Sequence, residues 1–322
     1  MENALRGKDN SFDRHMQVSR ETYRQFCLPE ASIPIYRNPD WLDTVCGPTG
    51  WGAALSVDQA TNQLEFALTF QIGRKYRLLR TVHTPLWTPY VGPFLAKDPH
   101  QTPVHRFLHW YDNQVRQAML PLKGVRYIQW KLHHSLPHDL PFRWTGLHNR
   151  PRVTYVIEPG QVSEEHLDRL DKNLRRDIRQ AQRKYQVIAA AHQEEFTSKA
   201  IDHLYLRAVG GLPAYRHALI SLLAKYRNDE SMQALLALDD QGRTVAGALF
   251  VADERYVYYL LGFRDESLRN NQGNTLLLWH GIEWALKTNR HFDFEGSSIP
   301  GVATYFKRFA AVQIQCIEVF RP

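Results

Sequence analysis

Cysteine is scarce in this 322-residue sequence: the three present, Cys27, Cys46 and Cys316, are odd in number and far apart. That excludes a disulfide framework and a cysteine-based zinc site. The fifteen histidines show no metal-ligand spacing of the H-E-x-x-H kind, so no metal is expected. No stretch approaches the roughly eighteen apolar residues of a membrane span, and "VAGALFVA", among the longest, suits a buried strand. The opening "MENALRGKDNSFDRHMQ" is polar and lacks the apolar core of a secretion signal. A soluble cytoplasmic protein is the expectation, with peripheral membrane contact left open. A G-x-G-x-x-G, a P-loop, and Ser-His-Asp or Cys-His arrangements are also missing, and "GSS" at Gly296–Ser298 lacks the G-x-S-x-G frame of a hydrolase nucleophile.

What remains is an ordinary globular composition, 43% hydrophobic and 23% charged. Its length points to two domains. Forty Lys and Arg against thirty-three Asp and Glu give a net charge of +7, which favours acidic or phosphorylated partners and equally suits a basic surface kept for solubility.

The second half is the more legible. "RVTYVIEPG" (Arg152–Gly160) alternates as a strand and stops at Pro-Gly. A helix from Ser163 to about Tyr185 follows, with Leu167, Leu170, Leu174, Ile178 and Ala181 as its buried stripe. Helical patterns cover Glu194–Val209 and Pro213–Tyr226. Three strands come next, "MQALLALDD", "RTVAGALFVAD" and "RYVYYLLGF", then a helix at Thr275–Lys287, a strand and short helix in "HFDFEGSSIPGVATYFKRFAA", and a last strand "VQIQCIEVF". The first half repeats this order loosely: a hairpin around Gly73-Arg74, a Pro-rich aromatic loop "TPLWTPYVGPFL", a helix at about Thr102–Leu120 and the strand "VRYIQWKL". The Pro- and His-rich "HSLPHDLPFRWTGLHNRP" is the expected boundary, dividing the chain into residues 1–150 and 151–322. Strand runs broken by helices predict a mixed α/β fold of the α+β type, with mostly antiparallel sheets flanked by helices.

The order β-β-β-α-β-α-β from Met232 to Phe320 resembles the core of the GNAT acyltransferases. Three stretches are similar to the Fem-type (FemABX) aminoacyltransferases: "YRNPDWLDTV", which looks like that family's opening strand and helix; the basic helix "LDKNLRRDIRQAQRKY"; and "GNTLLLWHGIEWALKTNRHFDFEGSSIPGVATYFKRFAA". The resemblance implies two GNAT-like domains and transfer of an acyl or aminoacyl group to an amine. Acyl-CoA, an acylated carrier or aminoacyl-tRNA would be the co-substrate, and no permanently bound cofactor is implied. The sequence departs from the acetyl-CoA pattern Q/R-x-x-G-x-G/A, reading "RNNQGNT" with Asn274 where a second small residue would sit. The coiled-coil arm for tRNA that the family often carries has no counterpart in sustained heptads here. A non-catalytic nucleic-acid or cell-envelope-precursor binding protein on the same fold is the alternative.

Candidate residues follow. On the helix Gly301–Phe309 the apolar face is Val302, Tyr305, Phe306 and Phe309, and Lys307 points off it. That position suits a solvated lysine; the match of Phe306-Lys307 to the family's Phe-Lys pair implies an ammonium that stabilises the developing oxyanion. On the preceding strand Phe292 and Phe294 share one face, and His291, Asp293 and Glu295 the other. Neighbouring carboxylates cost desolvation and repulsion unless compensated. One reading pairs one of them with a cation and has the other cap the following turn; the other makes Glu295 the acceptor of the attacking amine's proton, with Asp293 beside it. For the donor, Tyr259 and the backbone at Leu261-Gly262 precede the loop holding Arg269, Gly273 and Asn274, where a helix N-terminus offers unpaired N–H groups to a pyrophosphate. For the acceptor or its phosphates, Arg176 and Arg179 belong to a row Lys172, Arg176, Arg179, Arg183 that reads as a phosphate rail or a solvated face. Trp87 and Tyr90 stand in the Pro-rich loop, expected to be exposed there with Phe94 or to plug the seam between domains, and Phe306 adjoins Lys307.

Overall fold

Arg152 and Gln315 mark where the chain divides in the computed structural model: residues 1–152 with 316–322 form one unit, and residues 153–315 the other. The structure describes residues 2–28, 33–75, 79–98, 101–160, 163–190, 193–206, 211–268, 271–296 and 299–321.

The first unit begins with α1 (Glu2–Cys27), which buries Met16 and Tyr23 on one face. Arg20 on this helix donates to the Trp51 carbonyl at 2.8 Å, and Arg24 pairs with Asp43. A 3₁₀ turn at Ile35–Arg37 leads into α2 (Pro39–Cys46). Asn38 caps α2 by accepting the Asp40 N–H at 2.9 Å, and Pro39 occupies a first-turn position that needs no N–H. β1 (Trp51–Val57), β2 (Leu64–Lys75), β3 (Leu79–His83) and β4 (Pro93–Leu95) precede α3 (Val104–Met119), β5 (Tyr127–Leu132) and α4 (Leu140–Trp144); β6 (His148–Ile157) begins in this unit and continues into the second from Val153. The stripe Phe107, Tyr111, Val115, Ala118 and Met119 of α3 packs with Phe66, Phe70, Val82, Ile128 and Trp130 of the sheet.

The second unit runs through α5 (Ser163–Arg169), α6 (Lys172–Lys184), β7 (Gln186–Ala189), α7 (Gln193–Leu206) and α8 (Leu212–Lys225). It continues with β8 (Met232–Leu238), β9 (Thr244–Ala252), β10 (Tyr256–Arg264), α9 (Gly273–Lys287), β11 (His291–Asp293), α10 (Pro300–Lys307) and the start of β12 (Val312–Arg321), which belongs to the first unit from Cys316 on. β9 is buried along its whole length, as its unbroken apolar run requires of a central strand. Against it lies α9, which buries Leu276, Leu277, Leu278, Trp279 and Ile282. Gly281 lets that helix approach: a Cβ there would stand 2.4 Å from the Phe250 ring.

Within the first unit the strand order is β1-β2-β3-β5-β12, with β4 on β2; within the second it is β6-β11-β10-β9-β8-β7. Each unit contains an antiparallel meander, then a helix, then a strand that joins in parallel, β3 with β5 across α3 and β10 with β11 across α9. On β12, Glu318 is 5% exposed. It accepts hydrogen bonds from Arg150, from Arg152 at 2.7 Å and from Gln129 at 2.6 Å.

Several expectations need correction. The single helix Ser163–Tyr185 is two, because Asp171 breaks it and caps α6, accepting the Asn173 and Leu174 N–H groups. β2 runs through Gly73-Arg74 to Lys75, so the hairpin does not turn there. "YRNPDWLDTV" contributes a 3₁₀ turn and a helix, with no strand. The Pro- and His-rich connector holds α4 and the start of β6 inside the first unit, and residues 316–322 group with that unit too. Trp87 and Tyr90 are buried rather than exposed: Tyr90 stacks edge-on to His133, ring centroids 5.0 Å apart, with the Lys131 ammonium 4.4 Å from its ring. Phe94 is half-buried against Phe26. The loop that carries them is held by α2, where the Trp41 indole donates to Thr88, and by Arg37, which donates to the Pro93 carbonyl at 2.7 Å.

Candidate active site

β11 is only three residues long. Phe292 and Asp293 pair antiparallel with Ile157 and Val156 of β6, and parallel with Val257 and Tyr258 of β10. Asp293 is 0% exposed, which would be prohibitive for a bare carboxylate. Its Oδ1 accepts the Thr154 hydroxyl and the Glu295 N–H, the latter at 2.7 Å. A hydroxyl and a turn amide therefore compensate this carboxylate.

Glu295 is not part of the strand. It adopts φ +57° and Gly296 φ +68°, so the chain turns sharply just past Asp293. A Cβ on Gly296 would lie 1.8 Å from the Val153 carbonyl oxygen; close approach and positive φ together demand glycine. The Phe294 N–H donates to the Tyr155 carbonyl at 3.0 Å. Residues Val153, Thr154 and Tyr155 thus grip the turn that bears both carboxylates. Lys307, exposed on the last turn of α10, places its Nζ 5.9 Å from the centre of the Tyr155 ring. Lys307 thus meets β6 at the Tyr155 ring and Asp293 meets it at the Thr154 hydroxyl, neighbouring side chains that alternate across the strand.

On the other side of β11 the sheet opens. β10 and β11 pair only from Tyr256 to Tyr258, after which β11 ends and β10 continues to Arg264. Next to this point the register of β10 with β9 shifts between Tyr259 and Leu261, a bulge that re-aims the strand. The Tyr259 hydroxyl crosses to Asn274, donating to its Oδ1 at 3.1 Å, and Gly262 lies beneath it: a Cβ there would be 1.5 Å from that hydroxyl. Asn274 therefore serves as a hydrogen-bond partner where the acetyl-CoA pattern has a small residue. Gly273 begins α9, gives its N–H to Asn271 Oδ1 at 2.9 Å and leaves no room for a side chain against Val245 and Ala246.

Two hydroxyls join α9 to α10, with Thr275 Oγ1 and the Tyr305 oxygen 2.7 Å apart. Burial pushes the Tyr305 phenol up to about 12, against the opposing hydrogen bond from Thr275. It keeps its proton throughout the physiological range and can act as a donor. By sequence Tyr305 is only part of an apolar face, and Thr154, Tyr155 and Thr275 carry no signal of a site. The first three have no motif, and Thr275 resembles any residue of a helix's first turn.

The remaining candidates are dispersed. Phe306 is buried among Phe294, Tyr155 and Tyr259, with ring separations of 4.6, 6.2 and 6.3 Å, so it is a core residue and not an open acceptor contact. Arg176 and Arg179 are exposed on α6, Arg176 lying 3.6 Å from Asp177. Asp177 also pairs with Arg308 at 3.6 Å and accepts from Gln272 at 3.3 Å, which ties α6 to α10 and to the start of α9. Trp87 and Tyr90 belong to the first unit. Arg269 lies outside the described residues, as does most of "GSS". Among the described residues no three His, Cys, Asp or Glu side chains gather as metal ligands would, and no helix is long and apolar enough to cross a membrane.

Comparison with known proteins gives this geometry a context. Residues 169–308 match the family model of the acetyltransferase (GNAT) domain. No curated protein matches the chain. Among solved structures, FemX is similar over 95% of this chain and 95% of its own at 12% identity, with a TM-score of 0.64. L-PGS from Bacillus licheniformis is similar over 94% and 91% at 11% identity and a TM-score of 0.51. A tandem GNAT protein from the clavulanic acid biosynthesis pathway is similar over 94% of both chains at 11% identity and a TM-score of 0.50. The likenesses to solved structures show the fold, and the family match shows that residues 169–308 are similar to an acetyltransferase (GNAT) domain.

Proposed function

We propose that this protein holds an activated acyl or aminoacyl donor where β10 and β11 part, and transfers the acyl group directly to an amine without a covalent enzyme intermediate. The observation that carries the reading is the parting itself: a bulged strand, its parallel neighbour ending three pairs in, and the start of α9 against the gap. A donor laid there has strand backbone on one side and helix N–H groups at its end. Its carbonyl would face α10.

The amine nitrogen attacks the carbonyl carbon, and a C–N bond forms. The Lys307 ammonium stabilises the oxygen as it becomes negative, a contribution of up to about 3–4 kcal/mol when such a donor is well placed. Glu295, directly or through water, accepts the proton that the amine loses. Asp293 acts as a positioning residue, since its Oδ1 holds the Glu295 amide. The C–S bond of a thioester or the C–O bond of an aminoacyl ester then breaks, and the protonated Tyr305 phenol supplies a proton to the departing sulfur or oxygen. Alignment of the two reactants supplies much of the remaining rate enhancement.

The acceptor is a small-molecule or peptide amine, a peptidoglycan precursor among the candidates, and a cytoplasmic setting suits both donor types. The test is a transfer assay on the intact protein with a panel of acyl-CoAs and aminoacyl-tRNAs against polyamine and peptide amines, read by mass spectrometry. Lys307→Met is expected to keep the melting temperature and lose at least a hundredfold in kcat. Absence of transfer from every donor, together with salt-sensitive RNA binding, would replace this reading by the binding-protein alternative. Unchanged kcat in the Lys307 variant would remove the lysine from the mechanism.

A further inference from the structure

The first unit carries an exposed apolar strip that the transfer reading does not use. α3 and α4 lie side by side and run in the same direction. The Tyr111 hydroxyl donates to the His138 carbonyl at 2.9 Å, and further along both segments the Arg116 guanidinium lies 5.7 Å from the centre of the Trp144 ring. α4 turns Pro141 and Phe142 inward. Helical period then sends Leu140, Arg143 and Trp144 outward within an arc of about 100°, and Leu140 is 41% and Trp144 56% exposed. On α3 and the 3₁₀ turn Leu120–Leu122 that continues it, Arg116 and Leu120 stand four residues apart on one face, with Leu120 61% exposed. Leu140, Trp144 and Leu120 therefore follow one another over roughly two turns of α3, on the order of 12 Å. The strip is held in shape from below. The Thr145 hydroxyl donates to the Phe142 carbonyl at 2.7 Å, and Arg321 donates to the Val125 and Thr145 carbonyls, both at 2.8 Å, which ties the end of α4 to the turn after α3.

Cations border the strip. Between Asn113 and Ile157 the sequence has seven Lys and Arg against one carboxylate, Asp139, so most of the chain's +7 excess falls in this stretch. Three of the seven are engaged elsewhere: Lys131 lies over the Tyr90 ring, and Arg150 and Arg152 pair with Glu318. The other four, Arg116, Lys123, Arg126 and Arg143, are exposed. Arg116 donates to the neutral Asn113 side chain at 2.8 Å, and none of the four forms an ion pair among the described residues. The carboxylates nearest the strip lie at its Leu140 end, and both are occupied. Asp112 is 3.5 Å from the His138 ring, and Asp139 accepts from Asn149. The Trp144 end, with Arg116, Arg143 and Lys123, is therefore positive as well as apolar.

We infer that this strip seats the first unit on an anionic lipid surface, with Trp144, Leu120 and Leu140 entering the headgroup boundary and Arg116, Lys123 and Arg143 reaching lipid phosphates. A tryptophan ring is at home at the boundary between water and acyl chain. Arginine and lysine stems lie along apolar neighbours while their heads reach charge further out. Apolar area and attraction to anionic headgroups then act together, which is how a surface element of this kind holds a membrane. A nucleic acid would use the ring and the cations but gain nothing from the two leucines. All of these residues belong to the first unit, while Lys307, Asp293 and Glu295 belong to the second. Lipid binding can therefore be measured without any transfer reaction, and either result leaves the transfer assay informative.

The experiment is co-sedimentation of the full chain with vesicles of phosphatidylcholine alone, and of phosphatidylcholine mixed about two to one with phosphatidylglycerol, at low and moderate salt. The expected result is binding to the mixed vesicles, weakened by salt, and little binding to phosphatidylcholine alone. Trp144→Ala is expected to weaken that binding at least tenfold while keeping the melting curve, since Phe142 still anchors α4 in the core. The double variant Lys123→Gln, Arg143→Gln is expected to weaken it and to flatten its salt dependence. A charge-matched control on the second unit, Arg216→Gln with Arg227→Gln, both exposed, is expected to bind like the unmodified chain. No binding to the mixed vesicles at low salt, or binding indifferent to Trp144→Ala, would overturn the proposal. An equal loss in the control pair would overturn the location and leave only general charge attraction. A single-stranded RNA that displaces the protein from vesicles and loses its own affinity in Trp144→Ala would overturn the lipid assignment in favour of a nucleic-acid surface.

Discussion

Replacing Glu318 by Gln is the most quantitative test of how the first unit is held together. Burial works to raise the pKa of this carboxyl, but hydrogen bonds from Arg150, Gln129 and Arg152 overcome it and hold the group at about 2 instead of its ordinary 4.5. The folded state therefore prefers the carboxylate. At neutral pH that preference contributes about 3 kcal/mol. The contribution is whole above pH 4.5 and drains away as the pH falls towards 2; at pH 3 about half of it is left. Gln keeps the shape and a carbonyl acceptor but not the charge. Arg150 and Arg152 both reach solvent, with 46% and 34% of their side chains exposed, and stay hydrated when their partner is neutral. The assay is urea unfolding of both proteins from pH 7 to pH 3. The expected outcome is a Glu318→Gln protein less stable by about 2–3 kcal/mol at pH 7, the gap closing to about half by pH 3. A gap that stays constant across that range would refute the electrostatic argument and leave Glu318 as a packing residue. No gap at pH 7 would refute its anchoring role altogether.

Other outcomes follow from the second unit. Gly296→Ala puts a methyl into the Val153 carbonyl at positive φ and is expected to cost about 2–4 kcal/mol in thermal unfolding. Thr154→Val leaves the buried Asp293 with one donor fewer, which should cost about 1–3 kcal/mol and loosen the Glu295 turn, seen as faster amide exchange at residues 294–296. Gly262→Ala must push the Tyr259 hydroxyl off Asn274; because that hydroxyl ends a flexible side chain, the fold should survive while the KM for the donor rises roughly tenfold. Tyr305→Phe should lower kcat without moving the pH–rate profile below pH 10, since a phenol held at about 12 stays protonated there. An alkaline limb near pH 8 that disappears in this variant would count against that assignment.

The order of elements from Met232 to Phe320 was legible because long apolar runs and sharp turn residues leave little choice. β9 is a continuous apolar stretch between Asp-rich turns, and α9 follows a polar loop. Shorter features were less so. The stripe of α5 and α6 keeps its helical period through Leu170, and only Asp171, an N-cap residue inside an apparent helix, signals the break. Alternation placed Glu295 on a strand with Asp293, but the chain enters the left-handed region there, and that depends on how closely Val153 approaches Gly296. Lys307 could be named from a resemblance and the carboxylates from alternation; the contact of Asp293 with β6 could not, since Thr154 lies 139 positions from it. The same is true of Arg150, 168 positions from Glu318. Trp87 and Tyr90 looked exposed because prolines surround them, yet large rings in a stiff loop are well suited to filling a core.

β12 also bears on biosynthesis. Its residues from Cys316 onward complete a sheet whose other strands were made before the second unit began. A ribosome delivering this chain exposes β5 with one edge unsatisfied, and that edge must wait until the whole intervening unit has emerged. Glu318, the anion that quiets Arg150 and Arg152, arrives with the same late strand. The nascent first unit is then both open-edged and over-charged, a state in which chaperones or ribosomal RNA would find it most readily, and maturation of the two halves becomes a single event rather than two.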